Sequence, residues 1–341
     1  MKKINTKIIK IDSLNIDMTK LKEAGQAIRE GKIVAFPTET VYGLGADALN
    51  EEAIKKIFLA KDRPLYDPLI VHINCLEDAI DLVEELPPIA RTLGQNFWPG
   101  PLTMVIKKSK KISDIVTSGL DTVAIRVPGH PVAQALIREA KKPIVAPSAN
   151  LFTHVSPTKA QHVIDDLKGK VDIIIDSGET TVGVESTVVD VTELPLKILR
   201  LGGTTVESIR KITAKIIIAN DNEGVNKSPG MLKKHYAPKA KLILAEGKNE
   251  TMINHILNLA SNYQKLGKKV GIISSKENIN KYNGFIVKSL GNAKDLQTCA
   301  QNLYAQLRLL DELECNIIIS ENFENKGLGR AIMDRLRRAS N

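Results

Sequence analysis

Two basic residues of this 341-residue sequence are spaced for binding an anion. Lys61 and Arg63 precede Pro64, and side chains two residues apart in an extended segment share a face. Such a pair suits phosphate oxygens, because arginine offers a bidentate fork and lysine a compact charge. A solvated basic loop would carry the same residues, so the pattern alone leaves both interpretations open.

Arg126 is more constrained, because it lies in the apolar run Val123–Val127. A buried guanidinium is costly without an anionic partner, so either a protein carboxylate or a substrate carboxylate must pair with it. His72 ends another apolar stretch, and a lone histidine in that position is typical of a hydrogen-bonded core residue.

Hydroxyl and amide side chains follow several predicted strands. They occur at Thr40 in the glycine-rich loop expected over Pro37–Gly45, in Pro147–Asn150, in Ser156–Thr158 and in Gly183–Thr187, and Arg200 lies at the end of a further strand. Ligands of α/β sheets collect where strands end. Together with the cations, these residues favour phosphoryl chemistry that works by positioning.

Two common nucleotide-binding motifs are missing from the sequence. There is no G-x-x-x-x-G-K-[ST]. The G-x-G pairs at Gly43–Gly45 and Gly327–Gly329 lack the third glycine of the Rossmann fingerprint. An ATP site in this chain must therefore be of another type.

The elements that position these residues alternate between helices and strands, which predicts two α/β domains. The first is expected to span residues 1–212, with Asp17 capping a helix that Gly31 ends and with another helix around Leu76–Glu85. Residues 213–240 are expected to form a linker, since Asn, Gly, Lys, Ser and Pro dominate there. Residues 241–341 predict a smaller, three-layer Rossmann-like domain with a largely parallel sheet.

Composition limits the class of protein. The formal net charge of +9 favours polyanionic partners such as nucleotides or RNA, although a solvated lysine-rich surface would give the same value. No apolar run approaches the ~20 residues that span a bilayer, and the first residues do not form a secretory signal. Cys75, Cys299 and Cys315 have neither metal-ligand nor disulfide-framework spacing. We therefore expect a cytoplasmic protein without membrane contact.

At the level of motifs the sequence resembles the YrdC family. The resemblance rests on A-F-P-T-E-T-V-Y-G-L-G at Ala35–Gly45, K-x-R-P at Lys61–Pro64, W-P-G-P-L-T at Trp98–Thr103, P-S-A-N at Pro147–Asn150, S-P-T at Ser156–Thr158 and G-V-E-S-T at Gly183–Thr187. Ser228–Met231 and Lys234–Pro238 resemble the segment that joins this domain to the C-terminal domain of the family's long form. The motifs occur in order over essentially the whole chain.

The resemblance implies a fold and an activity. The fold would be an open, twisted, mixed-sheet α/β domain with a concave cavity, followed by the Rossmann-like domain. The activity would be that of a nucleotidyltransferase, which converts L-threonine, bicarbonate and ATP into threonylcarbamoyl-adenylate and pyrophosphate. The adenylate would supply N6-threonylcarbamoyladenosine formation next to the anticodon of tRNA, through a separate transfer machinery. Mg²⁺ would be held by the ATP phosphates and not by protein side chains.

The resemblance also implies the roles of individual residues. The catalytic set would be Lys61, Arg63, Ser148 and Asn150, and these would bind ATP together with Thr122, Ser156, Arg200 and Tyr236. The threonine-binding set would be Thr40, His72, Arg126, Ala146 and Ser186, with Arg126 on the carboxylate. Tyr236 lies in the predicted linker, which would then act as a lid.

Three positions depart from the family pattern. Asp67 stands where the family often has Asn, so it is left outside the predicted site, and Leu201 and Leu232 replace a usual Pro and Lys.

A carbamoyltransferase of hydrogenase maturation is a second enzyme class, but its acylphosphatase-like domain and cysteine-rich fingers are missing here. A non-catalytic protein that binds tRNA or double-stranded RNA is the alternative outside enzymes. The sequence lacks the aromatic stacking platforms that such a protein uses. It leaves undecided whether the protein makes a weak contact with tRNA.

Overall fold

The structure is a computed structural model that describes residues 4–219 and 235–341. Within the described residues the chain divides into two compact units. The first contains residues 4–152, 156–181 and 185–219. The second contains residues 153–155, 182–184 and 235–341.

The first unit is built on one eleven-stranded mixed sheet. Its strands are β1 (Lys7–Lys10), β2 (Val34–Phe36), β3 (Gly43–Asp47), β4 (Ile70–His72), β5 (Leu102–Lys107), β6 (Thr122–Arg126), β7 (Ile144–Val145), β8 (Ile173–Asp176), β9 (Thr187–Asp190), β10 (Leu196–Arg200) and β11 (Ile216–Ile218). Their order across the sheet is β1-β8-β2-β3-β7-β4-β6-β5-β9-β10-β11. The expected mixed α/β architecture is confirmed.

Seven helices accompany this sheet in the described part of the first unit: α1 (Met18–Arg29), α2 (Glu51–Lys61), α3 (Pro88–Phe97), α4 (Asp114–Thr117), α5 (Pro131–Ala140), α6 (Ala160–Leu167) and α7 (Val206–Arg210). The predicted cap of α1 is confirmed, because the Asp17 carboxylate accepts hydrogen bonds from the amides of Thr19 and Lys20. Its apolar stripe, including Leu21 and Ile28, is buried.

Three features of the first unit differ from the sequence predictions. The helix expected around Leu76–Glu85 is only a 3₁₀ turn at Glu77–Ala79. The glycine-rich segment expected to be a loop contains β3, whose close packing against Phe36 and Ile144 requires glycine at position 45. β11 lies beyond the predicted domain end at residue 212 and pairs with β10 in the same sheet. Residues 235–240 of the predicted linker belong to the second unit, and 220–234 lie outside the described residues.

The centre of the sheet has two different faces. Successive side chains of a strand alternate, and residues paired in register share a face. Val71, Ile125 and Met104 face a large hydrophobic core. The opposite face carries a smaller apolar cluster of Ile70, Val105, Ala124, Val188 and Leu199. This second face is where the polar side chains described below are placed.

A β-bulge shifts the register near the end of β10. Ile198 pairs with Val189 and Arg200 pairs with Val188, so two steps of β10 oppose one step of β9. As a result Leu199 and Arg200 both lie on the face of the smaller cluster.

The second unit contains a four-stranded parallel sheet, as predicted. Its strands are β12 (Lys241–Ala245), β13 (Val270–Ser274), β14 (Ile286–Ser289) and β15 (Ile317–Glu321), in the order β12-β15-β13-β14. The helices are α8 (Asn249–Lys265), α9 (Leu296–Glu312) and α10 (Gly329–Ser340). None of the helices in residues 4–219 and 235–341 combines the length and apolarity that crossing a bilayer requires.

Candidate active site

Five neighbouring strands bring the polar residues of the first unit onto one face of the sheet. The order β4-β6-β5-β9-β10 places His72, Arg126, Thr103, Ser186 and Arg200 around the smaller apolar cluster. All five side chains are buried. The sheet therefore assembles residues that are distant in sequence into one enclosed polar surface.

Arg126 is held at the end of β6 by three groups. Its Nε donates to the Gly100 carbonyl (3.2 Å) and one terminal nitrogen donates to the Thr40 hydroxyl (3.0 Å). The other terminal nitrogen forms an ion pair with Glu39 at 2.6 Å. Thr40 in turn lies 2.8 Å from the hydroxyl of Thr38, which donates to a backbone carbonyl. The sequence left open whether Arg126 faces a protein or a substrate carboxylate, and in this structure it faces Glu39.

His72 lies beside Arg126, because β4 and β6 pair the two residues in register. Its Nδ1 is 3.2 Å from the carbonyl of Ile70, which can only accept, so Nδ1 carries the proton. Burial lowers the pKa of His72 to about 3, and the Arg126 charge acts in the same direction. The ring is therefore neutral near pH 7 and serves as a hydrogen-bonding group without charge.

Ser186 links two further strands. Its hydroxyl lies 2.7 Å from the hydroxyl of Thr103 and accepts from the Arg200 guanidinium at 3.0 Å. Arg200 also donates to the Ser186 carbonyl. Gly202 makes this arrangement fit, because a Cβ there would lie 2.3 Å from the Glu185 carbonyl oxygen.

Lys61 is the last residue of α2 and is almost fully buried. Its ammonium donates to the carbonyls of Ser148 and Asn150. These hydrogen bonds connect the segment of Lys61 and Arg63 with the segment of Ser148 and Asn150. Burial, reinforced by the nearby Arg63 charge, holds the pKa of Lys61 well below its usual value. A solvated basic loop, one of the two interpretations that the sequence left open, is not observed for Lys61, because backbone carbonyls from another segment contact the ammonium group.

Arg63 is also buried, and its partner is Asp67. The two side chains form an ion pair at 2.9 Å, and Arg63 also donates to the carbonyls of Asp67 and Pro68. Burial raises the pKa of Asp67, while the charges of Arg63, Lys61 and Arg200 oppose that rise. Asp67, which the sequence analysis left outside the predicted site, therefore forms an ion pair with one of the predicted ATP-binding cations.

Four further predicted residues lie in the first unit. Thr122 begins β6 and Arg126 ends it, and alternation puts both on one face roughly 13 Å apart. Ala146 donates its amide to the Ile70 carbonyl. Ser156 is buried and donates to the Glu185 carboxylate at 2.6 Å. Ser148 is half-buried and forms an isolated antiparallel β-bridge with Gly43.

Tyr236 lies in the second unit. Its ring is buried, stacks on Tyr304 with centroids 5.9 Å apart, and lies under the Arg335 guanidinium at 4.7 Å. The predicted contact of Tyr236 with ATP stays a prediction.

Sequence reasoning missed Glu39, Thr103 and Glu185 as parts of this polar surface. All three lie inside the motifs that carry the family resemblance, next to or near residues that were singled out. The need of Arg126 for an anion was the one physical signal that could have indicated Glu39. Among the residues that the structure describes, no group of three or more His, Cys, Asp or Glu side chains could hold a metal ion.

Comparison with known proteins gives full-length matches. Residues 26–202 match the family model Sua5_yciO_yrdC, described as "Telomere recombination", and residues 204–341 match "Threonylcarbamoyl-AMP synthase, C-terminal domain". The chain is 46% identical to threonylcarbamoyl-AMP synthase of Pyrococcus abyssi, covering 95% of each chain, and 45% identical to that of Bacillus subtilis, covering 96% of this chain and 95% of the relative. The crystal structure of P. abyssi Sua5 complexed with L-threonine superposes with a TM-score of 0.93 at 46% identity, covering 98% of this chain and 97% of that one.

Proposed function

Because the chain belongs to the Sua5/YrdC family of threonylcarbamoyl-AMP synthases, we propose that its first unit joins L-threonine, bicarbonate and ATP into threonylcarbamoyl-adenylate. The observation that supports this proposal is the division of the polar surface into two buried cationic groups. One is built around Arg126, and the other contains Lys61, Arg63 and Arg200.

The Arg126 group suits an amino acid. A guanidinium fixed by neighbouring acceptors can pair with the threonine carboxylate in a bidentate manner. Thr40, neutral His72 and Ser186 offer hydrogen-bonding groups around it, and the backbone of Ala146 completes the proposed threonine site. A substrate with a small side chain and a hydroxyl fits such a set better than a purely apolar one.

The second group suits the phosphates of ATP. The charges of Lys61, Arg63 and Arg200 all act on Asp67, so three basic side chains come together where a polyphosphate could bind. Ser148, Asn150, Ser156 and Thr122 would hold the rest of the nucleotide. Mg²⁺ enters as part of the substrate, bound to the phosphates, where it neutralises charge.

The reaction then follows from positioning. The threonine amine and bicarbonate give a carbamate and water. A carbamate oxygen forms a bond to the α-phosphorus, and the bond from that phosphorus to the pyrophosphate oxygen breaks. Lys61, Arg63 and Arg200 would stabilise the charge that develops on the phosphates. Burial protects the carbamate and the mixed anhydride from water.

The same burial argues against an RNA surface. Lys61, Arg63, Arg126 and Arg200 are each at most 7% exposed, whereas a nucleic-acid backbone needs cations that reach solvent. We propose that the adenylate passes to a separate machinery that modifies tRNA. We also place the reaction in the cytoplasm, in keeping with three cysteines that are free thiols.

The direct test is pyrophosphate release from ATP with threonine and bicarbonate each present or omitted. Release should need both, and serine should react more slowly, because loss of one methyl costs roughly 1 kcal/mol or somewhat more. Release at the full rate without threonine would contradict the proposal.

A further inference from the structure

Two buried arginines of the site each pair with a buried carboxylate. Arg126 pairs with Glu39 at 2.6 Å, with side-chain exposures of 4% and 12%. Arg63 pairs with Asp67 at 2.9 Å, with exposures of 4% and 6%. Arg126 belongs to the proposed threonine site and Arg63 to the proposed phosphate site, so each proposed substrate site contains a buried arginine paired with a carboxylate.

Neutral groups already fix the position of each arginine. Arg126 donates to the Gly100 carbonyl and the Thr40 hydroxyl, and Arg63 donates to the backbone carbonyls of Asp67 and Pro68. These acceptors orient the guanidinium groups without supplying negative charge. What each carboxylate adds is a negative charge beside a buried guanidinium.

The two carboxylates have different standing in the sequence. Glu39 lies inside the motif Ala35–Gly45, whereas Asp67 lies three residues after the K-x-R-P motif that ends at Pro64. Asn at position 67 could still offer an oxygen to Arg63, but it would remove the negative charge beside the guanidinium. The negative charge at position 67 is therefore a separable property of this chain.

We propose that Glu39 and Asp67 are internal counter-ions, which neutralise Arg126 and Arg63 in the empty site and compete there with the anionic groups of the substrates. The competing groups are the threonine carboxylate at Arg126 and the ATP phosphates at Arg63. This inference rests on the proposed function for the identity of those ligands. Its physical content is that each substrate binds against a resident negative charge, so its affinity is lower than the cations alone would give.

The test uses the full chain and two amide variants, Glu39→Gln and Asp67→Asn. Each keeps the shape and one acceptor oxygen but removes the charge. Calorimetry would give the Kd for L-threonine and, separately, for a non-hydrolysable ATP analogue with Mg²⁺. E39Q should bind threonine on the order of tenfold more tightly with ATP-analogue affinity unchanged, and D67N should do the reverse, because charges act most strongly on the nearest anion.

Two controls separate a charge effect from loss of structure. Glu39→Asp and Asp67→Glu keep the charge and should not tighten either ligand. Glu321→Gln removes a buried carboxylate of the second unit, which accepts from the Ser275 amide, Asn278 and Tyr282, and should change neither affinity. In thermal melts the empty E39Q and D67N proteins should unfold earlier than wild type and gain more from their matched ligand.

The outcomes are distinguishable. Unchanged or weaker binding of the matched substrate by a folded amide variant would overturn the counter-ion proposal. Weaker threonine binding by E39Q, in particular, would make Glu39 a direct ligand of the substrate amine. If wild-type protein bound neither threonine nor the ATP analogue, the proposed function itself would fail.

Discussion

Replacing Arg126 should separate the charge of this residue from its geometry. Arg126→Ala removes the partner of the Glu39 carboxylate, whose ion pair is 4% and 12% exposed on its two sides. Breaking a buried pair on one side costs about 3–5 kcal/mol, so R126A should lose about that much unfolding free energy. Arg126→Lys keeps the charge. However, a single ammonium cannot reach the Gly100 carbonyl, the Thr40 hydroxyl and Glu39 together, so R126K should lose a smaller part of that stability.

The Kd for threonine should rise in R126K as well as in R126A, although R126K keeps the positive charge. Loss of a bidentate, buried contact with a carboxylate costs about 3 kcal/mol, which corresponds to roughly a hundredfold in affinity. We expect R126K and R126A both to raise the Kd for threonine by about that factor, with the Kd for the ATP analogue little changed. Isothermal titration and urea unfolding measure the two quantities on the same protein.

Arg138→Ala is the matched control. Arg138 is an exposed arginine of α5 in the same unit, and its NH1 lies 3.3 Å from the Asn74 side chain. Its loss should change stability by no more than about 0.5 kcal/mol and leave threonine binding intact. If R126A bound threonine within threefold of wild type, the assignment of Arg126 to the substrate carboxylate would be refuted.

Three further predictions concern other parts of the molecule. Gly202→Ala should reduce pyrophosphate release at least tenfold in a protein that still folds, because the new Cβ must displace the Glu185–Ser186 backbone, and a normal rate would contradict the fit described here. His72→Gln should flatten the acid loss of stability: the pKa of His72 is lowered to about 3 in the folded protein, so the unfolded state takes up the proton first and stability falls as pH drops below about 6.5. Urea unfolding from pH 7 to 4 should show a slope smaller than wild type by up to about 1.4 kcal/mol per pH unit, and parallel curves would argue against a neutral buried ring. Tyr236→Ala should destabilise the second unit by about 3–5 kcal/mol through loss of the Tyr304 and Arg335 contacts, whereas Tyr236→Phe should cost far less; equal losses in thermal melts would contradict a packing role.

Much of the fold follows from local sequence, since periodicity and caps act over a few residues. The predicted Asp17 cap of α1 and the predicted parallel sheet of the second unit both agree with the structure. β3 was missed because its glycines indicate a turn, although here they allow close approach of Phe36 and Ile144. β11 was missed because its place is decided by pairing with β10 and not by its own composition.

The site was predictable in its cations and less so in its anions. Lys61 and Arg63 stand out through their spacing before Pro64. Arg126 and Arg200 stand out because a charge in or beside an apolar strand needs an explanation. Their partners do not, since Glu39 and Asp67 look like ordinary loop carboxylates until the fold brings them beside the arginines. The burial of Lys61 was likewise invisible, because it depends on carbonyls supplied by the segment around Ser148.

The bulge in β10 has a consequence for how this strand tolerates change. Ahead of it, Leu196 and Ile198 contribute to the large core, and after it Leu199 and Arg200 face the polar surface. A single inserted residue thus lets one strand follow two alternation phases, one for packing and one for chemistry. Without the bulge, unbroken alternation from Ile198 would place position 200 on the side of the large core. Deleting Leu199 would give a regular ladder in which the arginine follows Ile198 and still faces the polar surface, whereas straightening the bulge with Leu199 retained would turn the guanidinium toward the hydrophobic side.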